Sequence, residues 1–327
     1  MIKWSKKINL SRPQKPDLIR EKKSKLKKLF DKKMFDKVSV ITVSYNASCT
    51  LENTILSITN QSYANLEYII IDGGSTDGTV EIIEKYQHKL AYWISEKDNG
   101  IYDAMNKGIK ASTANWIIFL GADDVFYNKD VLTKIFIDNK LDSADFIYGD
   151  VILKSKGKIF GGSRTYDQLV GRNINQQSIL YKKTIFEKIG SFNLKYKILA
   201  DYELNLRIFR EPSLLKKYVP GVVTLYNDKG ISKQVIDGNF YEDQLEYLLN
   251  TEKISSKDYR LQTYFFFNGF AQFLQNEKIT GLNNILYALM FGKRKFYYFL
   301  VSVKYFLSLL GFGKKIRASF VLKKQSI

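Results

Sequence analysis

The chain has 327 residues, enough for one large or two modest domains at roughly 100 to 200 residues each. Hydrophobic residues make up 45% and charged residues 26%, with only four prolines, which excludes wholesale disorder, a polytopic membrane protein and collagen-like or proline-rich repeats. The net charge is +18, and its placement decides its meaning. Residues 1–37 carry a net +10 and residues 252–327 another +10, leaving the body between them at −2. A nucleic-acid enzyme spreads positive charge over its working face. Basic ends on a slightly acidic body fit an anionic membrane surface instead, with no nucleic-acid partner. One cysteine, Cys49, excludes a disulfide framework and fits a reducing, cytoplasmic compartment, and one histidine, His88, excludes histidine-cluster metal chemistry.

Residues 1–37 read as a basic lead-in without an apolar stretch of signal-peptide length. Its stripe of Leu26, Leu29 and Phe30 fits a solvated helix face as well as a lipid-binding one. Regular structure begins with the β-branched run Val38 to Val43, a buried strand emptying into Ser44-Tyr45-Asn46. A helix over Leu51 to Asn60 presents Leu51, Ile55 and Ile58 on one face. A second strand, Leu66 to Ile71, ends in Asp72-Gly73-Gly74-Ser75-Thr76-Asp77-Gly78-Thr79. Then come a helix over Val80 to Tyr86, a strand over Tyr92 to Ser95, a helix over 101–111 and a strand over Trp116 to Leu120 that ends in Gly121-Ala122-Asp123-Asp124. Such alternation predicts a mostly parallel sheet flanked by helices, Rossmann-like, with ligands beyond the carboxyl ends of the strands. Tyr45, Asn46, Asp72, Glu96, Asp98, Asp123 and Asp124 all fall there.

From about 140 the pattern loosens. Phe146 to Leu153 reads as strands around a turn, 164–190 as mixed, and Ala200 to Phe209 as a helix. The divisions are a lead-in at 1–37, two halves of one α/β domain at 38–140 and 141–250, and a helical, basic and aromatic region at 251–327. Within the last, Phe296 to Phe312 has one charge in 17 residues, short of the ~20 a membrane-spanning helix needs. It reads as an interfacial, membrane-associating segment or as a buried terminal helix.

Adjacent Asp123 and Asp124 after a buried strand suit Mg²⁺ or Mn²⁺, which takes one or two carboxylates and otherwise phosphate oxygens and water. An acid followed by glycines, Asp72-Gly73-Gly74, suits either close approach to a nucleoside or a plain strand-to-helix turn. Asp201, on the first turn of its helix, is either a cap facing the helix dipole or a catalytic acid.

Taken together, VSVITVSYN, IIIDGGSTDGT, DNGIYDAMNKGI and IIFLGADD, in that order from 38, resemble family 2 glycosyltransferases of the GT-A fold, in the branch that builds bacterial surface polysaccharides. Downstream, Asn175-Gln176-Gln177-Ser178 resembles that branch's His-Gln-Ser segment, Ala200-Asp201-Tyr202-Glu203 its acidic-Tyr motif, and Lys229-Gly230-Ile231-Ser232 its Gly-Gly-x-Ser loop. The resemblance implies a nucleotide-sugar-binding half at 38–140 and an acceptor-binding half at 141–250. Ser44, Tyr45, Asn46 and Asp72 would hold the nucleoside, with Asp98, Asn106 and Lys107 shaping the donor site. Asp123 and Asp124 would touch ribose and Mn²⁺ or Mg²⁺, with Gly121 where the family often has a first acid, and Asp201 would be the general base of an inverting transfer. A UDP-sugar donor and a lipid-linked saccharide acceptor at the inner face of the cell membrane follow from the same resemblance joined to the basic ends. The Gln-x-x-Arg-Trp motif of processive synthases is absent, so one sugar per encounter is expected. Two other classes remain open on the residues: a nucleotidyltransferase, and a membrane-bound scaffold with a degenerate site.

Overall fold

The computed structural model describes residues 36–138, 141, 143–227, 237–254, 258–274 and 278–291. Its first half alternates β1 (Val38–Ser44), α1 (Leu51–Thr59), β2 (Leu66–Asp72), α2 (Thr79–Tyr86), β3 (Tyr92–Ser95), α3 (Ile101–Ala111) and β4 (Trp116–Phe119), each close to its expected bounds. β1 is buried at every position because β2 and β4 flank it, both parallel to it, and β3 continues the parallel run beyond β2. A strand covered on both faces takes the β-branched run seen in its sequence. Alternate residues face opposite layers: Val40, Ile70 and Ile118 pack in one core, and Ile41, Ile69, Ile71 and Ile117 in the other.

The second half is more irregular. It holds β5 (Val125–Phe126), α4 (Val131–Asp138), β6 (Phe146–Leu153), β7 (Lys158–Phe160), α5 (Tyr166–Gly171), β8 (Ile179–Lys182), α6 (Thr184–Ile189), α7 (Ala200–Arg210) and β9 (Lys216–Tyr226). All nine strands form one sheet in the order β3-β2-β1-β4-β8-β6-β9-β5, with β7 paired to β6. The sheet is parallel from β3 to β4 and mixed beyond: β8 runs antiparallel to β4 and β6, and β9 parallel to β6. Phe146 to Leu153 is a single strand with a bulge, where two strands around a turn were expected. Asp150 holds the irregularity by accepting from the Tyr218 hydroxyl (2.9 Å), Gly162 N (2.8 Å) and Gly221 N (3.3 Å).

After β9 come α8 (Gly238–Glu246), α9 (Tyr259–Leu274) and α10 (Lys278–Phe291). Among the described residues no helix is long and apolar enough to cross a membrane. The expected amphipathic stripe at 20–33, the Lys229 to Ser232 loop and the Phe296 to Phe312 segment lie outside the described residues.

The end of the sheet away from the strand carboxyl termini is fastened by Glu67. Its carboxylate pairs with Lys37, accepts from Ser39 Oγ, and accepts from Thr113 N (2.6 Å), Thr113 Oγ1 (2.6 Å) and Ala114 N (3.1 Å). Burial pushes this carboxyl up, but the bonds from Lys37, Ser39 and Thr113 outweigh it and bring its pKa down to about 2. A depressed carboxyl stabilises the fold above its unfolded value of 4.5, and that contribution is lost as pH falls toward 2. Glu67→Gln is expected to lower stability at pH 7 by about 2 kcal/mol. The gap between variant and wild type should close below pH 3, measured by urea unfolding at each pH.

Candidate active site

The carboxyl ends of β1 and β2 carry loops that are laced together. Asn46, at φ 48°, donates its N–H to Ser75 Oγ (2.8 Å) and accepts from Thr76 N at its side chain (3.0 Å). Ala47 N and Ser48 N donate to Thr79 Oγ1 (2.8 Å) and Asp77 Oδ2 (3.0 Å). Asp72 lies at the centre, 0% exposed. It accepts from Ser44 Oγ (2.8 Å), Ser75 N (2.8 Å), Ser75 Oγ (2.6 Å), Gly74 N (3.1 Å) and Ser95 Oγ (2.7 Å). Burial raises this carboxyl's pKa, but the donors from Ser75, Ser95 and Ser44 hold it below the usual range. Ser44 and Asp72 thus frame the loop, while Tyr45, 68% exposed, stands at its surface. Beside it, a Cβ on Gly73 would come 2.6 Å from Asp98 Oδ2 and 3.4 Å from the Tyr45 ring, so only glycine lets Asp98 lie over the end of β2.

The acid pair sits after β4. Asp124 is 1% exposed and accepts from Asn227 N (2.7 Å), and Asp123 Oδ2 accepts from Asn227 Nδ2 (2.6 Å). Asn227 follows β9, and Lys154, just past β6, donates to the Asp123 carbonyl (2.5 Å). The opposite oxygens of the pair converge: a Cβ on Gly121 would lie 2.9 Å from Asp124 Oδ2 and 3.1 Å from Asp123 Oδ1. A side chain at 121 would fill that notch. Burial, reinforced by the Asp123 charge, pushes the Asp124 carboxyl up to about 7. Two crowded carboxylates over an open notch fit a hard divalent cation completed by diphosphate oxygens. Among the described residues there is no cluster of three or more His, Cys, Asp or Glu that holds a metal by itself.

Helix α3 carries the site toward Asp201. Asp98 accepts from Gly100 N (2.9 Å) just before the helix, and one turn on, Tyr102 donates to Asp201 Oδ1 (2.7 Å). Asp201 is part-buried at the start of α7, and Asn173 Nδ2 donates to its other oxygen (2.8 Å). Burial raises its pKa above the usual carboxylate value. Asn106 clasps the Phe192 backbone with both ends of its amide (2.9 and 3.1 Å), and Lys107 pairs with Glu96 (2.7 Å). These two tie α3 to Phe192 and to the loop after β3.

Asn227, Tyr102 and Asn173 were not singled out from sequence. Tyr102 sat unremarked in the helix over 101–111, and the two asparagines reach their partners across 104 and 28 positions of chain. A small cavity of about 10 Å³ is lined in part by Arg164, Arg172, Asn175 and Asn173, the last being the residue that donates to Asp201. A larger one, about 410 Å³ between α4 and β9, contains none of the strand-end acids.

A curled mixed sheet, helices on both faces and an acid pair after the fourth strand define a GT-A glycosyltransferase. The model of glycosyl transferase family 2 matches residues 39–202, and the chain belongs to that family. It is 37% identical over 209 residues to a PGL/p-HBAD biosynthesis glycosyltransferase of Mycobacterium bovis, spanning 62% of this chain and 81% of that one. Among solved structures, S. aureus TarS 1-349 in complex with UDP-GlcNAc superposes with TM-score 0.54 at 16% identity, covering 77% of this chain and 80% of that chain. The mannosyltransferase PcManGT from Pyrobaculum calidifontis, in complex with GDP-Man and Mn²⁺, gives 0.50 at 15% identity, covering 83% and 80%. At these identities the likeness is one of fold.

Proposed function

We propose that this glycosyltransferase moves one sugar at a time from a nucleoside-diphosphate sugar, UDP-linked, to a lipid-linked saccharide with inversion, in bacterial surface polysaccharide biosynthesis. The observation that carries this reading is the Tyr102 bond to Asp201: one helical turn separates the donor loop from a carboxylate with a raised pKa. Tyr45 offers an aromatic face to the base, and Asp98 a carboxylate to the ribose or base edge. An acceptor hydroxyl beside Asp201 gives up its proton to that carboxylate while its oxygen bonds to the anomeric carbon. The carbon–oxygen bond to the diphosphate breaks on the opposite face, and the nucleoside diphosphate leaves with the electron pair. When bound at Asp123 and Asp124, Mn²⁺ or Mg²⁺ supplies neutralisation of charge on that leaving group. The complexes named above, with UDP-GlcNAc and with GDP-Man and Mn²⁺, support this by fold analogy.

Arg164 and Arg172 lie near Asn173, and positive charge there would suit an acceptor that carries negative charge, as a lipid diphosphate does. The basic ends, +10 each, support a peripheral position on the inner face of the membrane. A nucleotidyltransferase fits less well, because the amides of Asn46, Ala47 and Ser48 are committed to side chains of the neighbouring loop and cradle no phosphate. The test is calorimetry with UDP-, GDP- and dTDP-sugars and Mn²⁺, followed by turnover on a lipid-diphosphate saccharide. One donor is expected to bind and be consumed, and absence of binding by all would favour a scaffold. The full chain should sediment with anionic but not neutral liposomes.

A further inference from the structure

Asp201 is held by two kinds of partner, and the difference has chemical content. The Asn173 amide nitrogen on Oδ2 can only donate. Behind it lies a buried polar chain: Asn205 Nδ2 donates to Asn173 Oδ1 (2.9 Å), and the Tyr181 hydroxyl lies 3.1 Å from Asn205 Oδ1 and 3.0 Å from Gln176 Oε1. Tyr181 and Asn205 are fully buried and Gln176 nearly so. With Gln176 Oε1 turned toward Tyr181, the hydroxyl has one proton for two acceptors, and Gln176 Nε2 is buried without a partner. Turning the Gln176 amide over gives its nitrogen an acceptor and leaves the hydroxyl a single acceptor to serve, with the Gln176 oxygen taking the unpartnered position. Its nitrogen then donates to Tyr181, Tyr181 to Asn205, Asn205 to Asn173 and Asn173 to Asp201, every bond pointing the same way.

Tyr102, on the other oxygen, differs. Its hydroxyl lies 2.7 Å from Asp201 Oδ1 and 2.6 Å from the Ile198 carbonyl. With Asp201 ionised, the phenol proton goes to Oδ1. With Asp201 protonated there, the phenol turns its proton to Ile198 and accepts from the acid.

We infer that Gln176, Tyr181, Asn205 and Asn173 form a one-way donor chain that locks Asp201 Oδ2, leaving Oδ1, backed by the reversible Tyr102 hydroxyl, as the oxygen that takes the acceptor's proton. The inference rests on Asp201 being the base. The four are positioning residues, and the oxygen they lock is spared protonation because its partner has nothing to accept with. The ionisable groups facing Asp201 are Tyr102 on α3, Tyr181 on β8 and Tyr202 on α7, with the Asp237 carboxylate felt through Tyr102. Burial pushes all three phenols up, so they stay neutral through the working range.

The experiment is the pH dependence of kcat for Tyr181→Phe, at saturating donor and Mn²⁺. Removing the hydroxyl interrupts the chain, weakens the last donor and moves the acid limb upward by about one pH unit, with turnover down about tenfold on the acid limb and little changed on the plateau above it. Donor affinity by calorimetry should be unchanged. Gln176→Met, which cuts the head of the chain and spares the Tyr181 ring packing, should move the limb the same way by less. Either variant suffices if the other fails to fold. Acid-limb contributions from Asp124 are common to parent and variant, so the difference between profiles carries the result. Profiles that superpose on the parent's in a folded variant overturn the chain. Full turnover in Asp201→Asn would instead overturn the base assignment itself.

Discussion

Asp201→Asn is expected to bind the nucleotide sugar as tightly as the parent chain and to turn it over about 10³-fold more slowly. The amide keeps the shape of the carboxylate: its oxygen accepts from Asn173, and its nitrogen donates to the Tyr102 hydroxyl, which turns its own proton to the Ile198 carbonyl, so α7 and the buried polar chain beneath it have no reason to move. What it loses is a site for the acceptor's proton. Single-turnover measurement with saturating acceptor separates this from a binding defect, because the loss should appear in the chemical step and not in KM for either substrate. A variant retaining a tenth or more of parental turnover would remove Asp201 as base and leave it a cap on α7.

The second large effect concerns the acid pair. Asp123→Asn with Asp124→Asn should abolish Mn²⁺-dependent donor binding, read by titrating the donor with and without the ion. Stability provides the control. The Asp124 carboxyl, raised by burial, makes the metal-free fold least favourable once it ionises, so stability falls as pH rises from the unfolded value of 3.8 through about 7. Asp124→Asn in metal-free buffer should therefore melt at or above the parent temperature at pH 8, with the advantage fading toward pH 4. Unimpaired donor binding in the stable double variant would show that the ion, if used, is held elsewhere. Gly121→Val tests the same notch from its floor: it keeps both acids and should weaken Mn²⁺ at least tenfold by filling the space between them.

The half of the fold from 38 to 120 was legible because its strands are buried on both faces and its helices amphipathic, so periodicity and local turn residues specify each element. The same regularity puts Asp98, Asp123 and Asp124 at strand ends. Beyond 140 the determinants are non-local. Phe146 to Leu153 looked broken at Gly149-Asp150, because a glycine beside an acid reads as a turn, whereas the donors that make it a bulge come from residues 162, 218 and 221. Asn227 carries no signal of its own: it reaches the acid pair because β9 lies beside β5. Asn205 did carry one, as a polar residue between Leu204 and Leu206 on the buried side of a helix, where an amide must find a partner. Nothing local marks Tyr102 as a hydrogen-bond donor to a residue 99 positions away.

The lacing of the loops after β1 and β2 has an evolutionary corollary. Ser44, Asp72, Ser75 and Ser95 form a closed set in which each hydroxyl answers the same buried carboxylate, so a change at one strands the others. Drift at these positions would have to be concerted, and single substitutions should be purged for stability irrespective of the donor. Tyr45 is exempt: exposed and outside the lattice of bonds, it is free to vary alone. If the proposed donor site is right, divergence in donor preference among close relatives should therefore concentrate at that position, on a scaffold that stays constant beneath it.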